Sequence, residues 1–547
     1  MRSTSRGLPR GLPRGTRSLP RRAASTAAAL LAALSLAACT ADGGGSGSSN
    51  GGGTGKGGEA GAPYTLRVLA SSELSDMEPV LEEARKKTGV TVEPTYAGTL
   101  DAVERIASGA AEKSYDAVWL SSNDYLRLRP DTAKRITAET PIMTSPVALG
   151  LRPEKVSALG WDPAKVTWSQ IHKAVAEKKL GYGMTDPARS NSGFSALVSI
   201  ASGLSGAQSA LTEQNVTAAT PKLKEFFGGQ KLTSGSSGWL ATAWSRREDV
   251  DALINYESVL LSTGKELTVV RPADGVVTAD YPFTLLTAAS PDAKQAAARL
   301  TAHLRTPDAQ RLITQRTLRR PVVPGVELAK PLAADQRREL PFPGSRAVAD
   351  GLLDAYENKL RRPSRTVYVL DTSGSMEGER LARLRSAFAE LTEDFRDRET
   401  VTVMPFGSSV KRNEVRTYTV DPAAPKKAIG AMRAQANGLS ASGGTAIYSS
   451  LEEAYEHLGT GRGGADTFTS IVLMTDGENT DGAPAAAFDA FYRDLPPAQK
   501  RTPVFPIVFG DSDRAALDHI AGLTGGRLFD ATKGSLDGAF EEIRGYQ

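Results

Sequence analysis

The chain has 547 residues, of which 40% are hydrophobic and 23% are charged, so it is long enough for two or three ordinary globular domains. Its formal net charge is +4, but seven arginines and no acidic residue lie within the first 39 residues, which leaves −3 for the rest. A faintly acidic body offers no basic face for a phosphate backbone, so nucleic-acid binding is not expected.

The first distinct segment ends at the single cysteine of the chain, Cys39, which excludes intrachain disulfides and cysteine-based metal sites. Cys39 follows an apolar stretch, residues 23–38, that is shorter than the ~20 residues needed to span a bilayer. An arginine-rich head, a short apolar core, small residues and then Cys resemble the signal peptide of a bacterial lipoprotein. The resemblance implies that residues 1–39 are the signal and that a lipidated (palmitate-bearing) Cys39 anchors the protein to the extracellular face of the cell membrane. The alternative is an ordinary signal peptide with an incidental cysteine.

Residues 40–63 consist mostly of Gly, Ser, Thr, Ala and Asn, which provide almost nothing to bury. Such a composition predicts a flexible tether. The tether would hold the folded part of the protein away from the membrane.

Strands and helices alternate from Tyr64 onwards. The pattern predicts strands at 65–70, 90–96 and 116–120, with helices at 77–87 and 100–111 between them. This alternation favours a parallel sheet covered by helices, and ligands of such sheets bind at the carboxyl ends of the strands. The ends of the first and third strands carry serine-rich loops.

Later motifs give this region a family resemblance. The segments TDPARSNSGFSAL and INYES, and the closing TPDAQRLITQRTLRRP, follow the opening strand and its serine-rich loop. Together they resemble an extracellular solute-binding protein of the type that serves ABC importers, over residues 64–325. The resemblance implies two α/β lobes with a ligand between them, and chain crossings near Ser145-Pro146 and Thr278–Tyr281.

The residues expected in the cleft between the lobes carry hydroxyl groups on loops or strand ends. They are Ser71, Ser72, Ser121, Ser122, Ser190, Ser192, Tyr256 and Tyr281. Free backbone N–H groups at the helix starts after these loops could hold an anion or a carbonyl group. The alternative interpretation is that these residues only cap helices and form turns.

A Pro-, Arg- and Ala-rich connector is predicted at 326–362, with one helix near 345–360. A second α/β pattern occupies 363–547. Its near-continuous apolar strands, at 366–370 and 470–474, are typical of a sheet buried on both faces.

The segment DTSGSM places Asp371, Ser373 and Ser375 where the first of these strands ends and a helix begins. Thr445 follows a Ser-Gly loop just before another helix, and Asp476 follows the apolar strand 470–474. All three pieces are expected at the same edge of one parallel sheet, where carboxylate and hydroxyl oxygens could bind a hard divalent cation. A helix cap with polar turn residues is the alternative for the short first motif.

The three pieces, in this order, resemble the metal-ion-dependent adhesion site of von Willebrand factor A (VWA) domains. The resemblance covers about 363–547 and implies a doubly wound, Rossmann-like fold. It also implies that the five residues bind Mg²⁺ (or Ca²⁺ or Mn²⁺) directly or through water, and that an acidic group of a protein partner completes the coordination.

No catalytic site is expected, because the sequence has neither a phosphate-binding G-x-x-x-x-G-K-[ST] loop nor a histidine near a nucleophile-elbow motif. The sequence therefore predicts a lipid-anchored extracellular binding protein. In this interpretation the VWA domain binds a divalent cation and a protein partner. The alternative is a small-solute receptor of an ABC importer with an accessory VWA domain.

Overall fold

The computed structural model of the protein describes residues 62–263, 267–335, 337–392, 395–460, 467–510, 512–532 and 536–546. Cys39, the signal peptide 1–39 and all of the tether except residues 62 and 63 lie outside the described residues. No helix in the described ranges is long and apolar enough to cross a membrane.

The strands of the described residues, in chain order, are β1 (Tyr64–Ser71), β2 (Val90–Ala97), β3 (Ala117–Trp119), β4 (Ile136–Pro141), β5 (Met143–Leu151), β6 (Tyr182–Thr185), β7 (Gln230–Ser234), β8 (Ala252–Tyr256), β9 (Thr268–Val270), β10 (Thr278–Ala279), β11 (Pro282–Leu286), β12 (Arg320–Pro321), β13 (Ser364–Asp371), β14 (Thr400–Phe406), β15 (Arg416–Thr419), β16 (Phe468–Thr475), β17 (Val504–Val508) and β18 (Phe529–Asp530).

The α-helices are α1 (Glu78–Thr88), α2 (Thr99–Ala107), α3 (Ala111–Ser114), α4 (Asp124–Arg127), α5 (Pro130–Ala133), α6 (Pro153–Leu159), α7 (Trp168–Ala176), α8 (Asn191–Ser205), α9 (Glu213–Gly228), α10 (Ser237–Trp244), α11 (Glu257–Ser262), α12 (Pro291–Leu304), α13 (Pro307–Thr317), α14 (Arg346–Ala355), α15 (Glu379–Leu391), α16 (Pro425–Gly438), α17 (Ile447–Thr460), α18 (Ala485–Asp494), α19 (Arg514–Thr524) and α20 (Leu536–Arg544).

The N-terminal module consists of two lobes, each built on its own mixed sheet. The first sheet has the order β2-β1-β3-β11-β4, with β1 parallel to β2 and β3. The second has the order β10-β5-β8-β6-β7, with β9 and β12 also paired to β5. This architecture is the predicted two-lobed, periplasmic-binding-protein-like fold.

Three chain segments connect the lobes. The chain crosses at Ile142 between β4 and β5, at Asp280–Tyr281 between β10 and β11, and at 318–319 between α13 and β12. The first two crossings lie close to the predicted positions. Strand β4 was not predicted because its sequence, ITAETP, is polar and partly exposed at a sheet edge, so it lacks the apolar pattern of a buried strand.

Helix α2 is shorter than the predicted helix 100–111. It ends at Ala107 because Gly109 adopts the left-handed region, with φ of +78°, and breaks the helix before the short α3 begins.

The C-terminal domain is a doubly wound α/β fold with the sheet order β15-β14-β13-β16-β17-β18. All pairings are parallel except that of the edge strand β15 with β14. Alternate residues of the central strand β13 face opposite cores. Tyr368 and Leu370 pack in the core that includes α15, α16 and α20, whereas Val367 and Val369 pack in the core that includes α17, α18 and α19. This two-sided burial explains the continuous apolar strands.

The connector packs against the second lobe. Leu211 N donates to Phe342 O and Val276 N donates to Arg338 O, at 3.0 Å and 2.9 Å. Beyond α14, a π-helical turn at Tyr356–Leu360 leads into β13. The connector is thus part of the folded unit that joins the N-terminal module to the C-terminal domain.

Candidate functional site

The C-terminal edge of the central strand β13 places Asp371 in a fully buried position. Its Oδ1 accepts a hydrogen bond from Ser373 N at 2.8 Å, and its Oδ2 accepts one from Thr475 Oγ1 at 2.6 Å. These bonds fix the carboxylate at the strand end.

Asp476 directly follows the neighbouring parallel strand β16 and is 1% exposed. Ser375 Oγ donates to Asp476 Oδ1 at 2.9 Å, and the hydroxyls of Ser373 and Ser375 lie 3.0 Å apart. The structure therefore connects four of the five predicted metal ligands through short polar contacts. A basic residue that the sequence analysis missed, Arg380, donates from Nη1 to Asp476 Oδ2 at 2.6 Å.

Thr445, the fifth predicted ligand, lies on a loop that is fastened to the first motif. Gly374 N donates to Gly443 O, and Ser442 N donates to Thr372 O, both at 2.8 Å. A methyl group built on Gly477 would lie 3.9 Å from Thr445 Oγ1 and 4.0 Å from Ser375 Oγ, so the two hydroxyls border the same gap. All five residues thus meet at one edge of the sheet.

The electrostatics of this edge favour a positive charge. Burial raises the pKa of Asp371 above its usual value, and the nearby Asp476 adds to the increase. Within the described ranges, no group of three or more His, Cys, Asp or Glu side chains could hold a metal ion. The site would thus have to use two carboxylates, hydroxyls and water, a donor set that suits Mg²⁺ better than a softer metal.

The hydroxyl-bearing residues predicted for the interlobe cleft form a second polar cluster. Ser71 Oγ, in the first lobe, accepts hydrogen bonds from Ser121 N at 3.1 Å and from Asn191 Nδ2 in the second lobe. Tyr256 OH, also in the second lobe, donates to Ser121 Oγ at 3.0 Å and lies 2.9 Å from Ser195 Oγ. The lobes therefore touch directly through neutral polar side chains, all of them buried.

Ser190 and Ser192 lie deeper in the second lobe, at the start of α8. Ser192 Oγ lies 3.1 Å from Ser190 Oγ, 2.9 Å from Thr185 Oγ1 and 2.8 Å from Ser237 Oγ. Their hydroxyls bond to one another within the lobe. Asn191, between them, makes the interlobe contact instead, and the sequence analysis overlooked it although it lies within the quoted motif.

Tyr281 lies at the second interlobe crossing, fully buried, with its ring 6.0 Å from that of Tyr256. The guanidinium carbon of Arg319 lies 4.8 Å from the centre of the Tyr281 ring, on its face. The remaining two predicted residues lie apart from these contacts. Ser72 is exposed, and Ser122 Oγ accepts from Asp124 N at 3.1 Å, which is a turn contact.

Charged side chains that were not predicted from the sequence lie beside the interlobe crossings at Tyr281 and Arg319, which together are called the hinge. Arg319 Nη1 lies 2.7 Å from both carboxylate oxygens of Asp76. Burial raises the pKa of Glu73 to about 7, and its Oε1 is buried without a hydrogen-bond partner. Glu73 therefore titrates close to neutral pH.

A buried ionic network joins the two domains. Arg396, in the loop after α15, donates from Nη2 to Asp186 Oδ2 at 3.2 Å and from Nε to Glu357 Oε1 at 3.1 Å. Arg361 Nη1 lies 3.8 Å from the same oxygen of Asp186, and burial lowers the pKa of Arg361 to about 10. Asp186 follows β6, in the loop that leads to Asn191 at the start of α8.

Two family models match the chain. Residues 66–316 match the family described as bacterial extracellular solute-binding protein, and residues 367–542 match the von Willebrand factor type A domain. The N-terminal module is therefore a solute-binding domain and the C-terminal domain is a VWA domain.

The chain is also similar to individual proteins. An uncharacterized protein of Synechocystis is 31% identical over 128 residues, which is 23% of this chain and only 28% of that protein. The solved structures include the periplasmic binding protein AfuA from Actinobacillus pleuropneumoniae with exogenous fructose-6-phosphate bound, at 13% identity and a TM-score of 0.44, over 54% of this chain and 98% of that chain. A von Willebrand factor type A protein from Catenulispora acidiphila matches at 19% identity and a TM-score of 0.28, over 34% of this chain and 42% of that chain. At such identities the likeness concerns the fold alone.

Proposed function

Because the chain joins an extracellular solute-binding domain to a VWA domain, we propose that it is a non-enzymatic, lipid-anchored binding protein of the outer cell surface. In this proposal the VWA domain binds a divalent cation and, through it, a protein partner. The observation that carries the proposal is the convergence of two buried carboxylates and three hydroxyls at one edge of the VWA sheet.

The donor set supports Mg²⁺ as the physiological ion, with Mn²⁺ and Ca²⁺ as substitutes. Asp371 and Asp476 would supply negative charge, and Ser373, Ser375 and Thr445 would supply neutral oxygens. Mg²⁺ keeps part of its water shell, so a position stays open for an acidic side chain of the partner. The chain's own residues would thus orient the ion, and the partner would complete its coordination.

Calorimetric titration of Mg²⁺ and Mn²⁺ into the chain from Thr40 onwards tests this proposal. Asp371→Ala should abolish binding, because it removes a carboxylate that offsets the charge of the ion and alanine cannot coordinate. Glu377→Ala, which removes an exposed carboxylate from the same loop, is the matched control and should bind like the parent. Undiminished affinity in Asp371→Ala, with an unchanged circular dichroism spectrum, would contradict the assignment.

The membrane anchor belongs to the same proposal and rests on the sequence around Cys39. Cys39→Ala should release the protein from the membrane fraction, because lipid chains at this residue would supply the attachment. Retention of the variant in sedimented membranes would show that another segment anchors the chain.

A solute receptor of an ABC importer is the second candidate. It is favoured by the polar side chains of both lobes that meet at Ser71, Ser121, Asn191 and Tyr256. A solute that binds between the lobes should raise the melting temperature in proportion to ln(1 + [L]/Kd). A screen of amino acids, sugars, oxyanions and metal complexes in which nothing stabilises the protein would count against this role.

A further inference from the structure

The proposed metal site already contains a positive charge from the chain itself. Arg380 projects from the first turn of α15, and its Nη1 lies 2.6 Å from Asp476 Oδ2. The Arg380 side chain is 37% exposed, whereas that of Asp476 is fully buried. The guanidinium therefore reaches from the domain surface to a carboxylate at the end of the sheet.

The backbone opposite this contact leaves room for the guanidinium. Gly510 has φ of +83°, and a methyl group built on it would lie 3.4 Å from Arg380 Cζ and 3.3 Å from Asp476 Cβ. A larger residue at position 510 would crowd both groups and adopt a strained backbone. Gly510 thus leaves the space in which the ion pair between Arg380 and Asp476 forms.

Arg380 and a bound cation would compete for the carboxylate of Asp476. Asp476 Oδ1 already accepts from Ser375, and Oδ2 already accepts from Arg380, so both oxygens have donors. A divalent ion next to Asp476 would also lie close to the guanidinium, and the two positive charges would repel one another in poorly solvated surroundings.

We propose that Arg380 is a built-in counter-cation of the VWA site, which a divalent ion must displace from Asp476 in order to bind. Arg380 therefore lowers the metal affinity, and it stabilises the buried carboxylate of Asp476 when the ion is scarce. This inference rests on the proposed metal site. It adds to that proposal a residue outside the five ligands that sets the affinity of the site.

The test compares three variants of the chain from Thr40 onwards by calorimetric titration with Mg²⁺ and Mn²⁺. Arg380→Gln should bind about tenfold more tightly than the parent or better, because the competing charge is gone. Arg380→Lys keeps the charge and should bind within about threefold of the parent. Arg383→Gln is the matched control, since Arg383 lies one turn further along the same helix, with its guanidinium 4.9 Å from the centre of the Phe509 ring.

Thermal unfolding in EDTA gives a second readout that needs no bound metal. Arg380→Gln should melt at a lower temperature than the parent, because the buried carboxylate of Asp476 loses its positively charged partner. Added Mg²⁺ should then stabilise Arg380→Gln more than it stabilises the parent. Arg383→Gln should resemble the parent both with EDTA and with Mg²⁺.

The outcomes separate this inference from the proposed function. If the parent binds metal and Arg380→Gln binds it equally or more weakly, the competition is refuted while the metal site stands. If Arg380→Lys gains as much affinity as Arg380→Gln, the charge is not the cause and the inference is again refuted. If neither the parent nor Arg380→Gln binds any of the ions, the metal site and the inference both fall.

Discussion

The interlobe contact and the VWA edge are both built from hydroxyl-bearing residues at the carboxyl ends of strands, yet their electrostatics differ. At the interlobe contact, Ser71, Ser121, Asn191 and Tyr256 are neutral and satisfy one another across the lobes. At the VWA edge the same kinds of hydroxyl surround two buried carboxylates. Neutral groups can complete one another's hydrogen bonds, whereas two buried negative charges require a cation. Carboxylates, rather than hydroxyls, therefore distinguish the metal-site candidate from the interlobe contact.

The N-terminal module and the VWA domain are connected through the buried network at Asp186. The loop after β6 carries Asp186, which contacts Arg396 of the VWA domain. Five residues later, Asn191 begins α8 and contacts Ser71 of the first lobe. Removing charges or hydroxyls in the two regions should therefore have effects of different kinds.

The largest effect is expected at the junction between the domains. Arg396→Ala should lower the free energy of unfolding by about 3–5 kcal/mol, because it removes a buried positive charge from its two carboxylate partners. Asp186 would keep only the more distant Arg361, at 3.8 Å, and Glu357 would lose its ion pair with Arg396. Chemical denaturation followed by circular dichroism measures this. Arg85→Ala, which breaks an exposed pair with Glu82, is the control and should cost far less stability, because water screens the pair. Equal losses in the two variants would mean that the junction contributes no more than a surface ion pair.

An intermediate effect is expected at the interlobe contact. Tyr256→Phe deletes one hydroxyl that touches Ser121, Ser195 and the carbonyl of Asn191, and it should cost about 1–3 kcal/mol of stability. Its metal affinity should equal that of the parent, since the VWA edge is unchanged. Tyr64→Phe, which loses only an exposed contact with Ser290, is the matched control. A change in metal affinity in Tyr256→Phe would show that the interlobe contact and the VWA edge are coupled, which contradicts this prediction.

The smallest effect concerns the pH dependence of stability at the hinge. The pKa of Glu73 is raised from 4.5 to about 7, so the folded state holds the proton more tightly than the unfolded state. The contribution of Glu73 to the free energy of unfolding is therefore fully present below about pH 4.5, and it is lost as the pH rises to about 7. Glu73→Gln should make the decline in the free energy of unfolding between these pH values smaller by about 1–2 kcal/mol. The value allows for solvent screening, because Glu73 is only partly buried.

Denaturation series from pH 4 to pH 8 measure the decline, with Glu83→Gln as an exposed control. Part of the slope should remain in Glu73→Gln, because burial also raises the pKa of Asp280 to about 6. A parent profile that is flat over this range would contradict the assigned pKa of Glu73.

Local sequence was sufficient to predict much of the fold and the five residues that meet at the VWA edge. The apolar runs and their alternation with helices predicted the two α/β regions, because burial on both faces of a sheet leaves a pattern within a few residues. The order of Asp371, Thr445 and Asp476 predicted their meeting, since parallel strands end at one edge of a sheet. The polar edge strand β4 carried no such pattern and was missed.

The pairing of distant polar groups depends on the packing of the lobes and domains. Arg380 and Asp476 are 96 residues apart, Ser71 and Asn191 are 120 apart, and Asp186 and Arg396 are 210 apart. No periodicity or spacing links such residues, and each alone is typical of a helix surface, a cap or a loop. Their roles arise because packing the lobes and domains removes them from water, where a polar group must find whichever partner the fold places beside it.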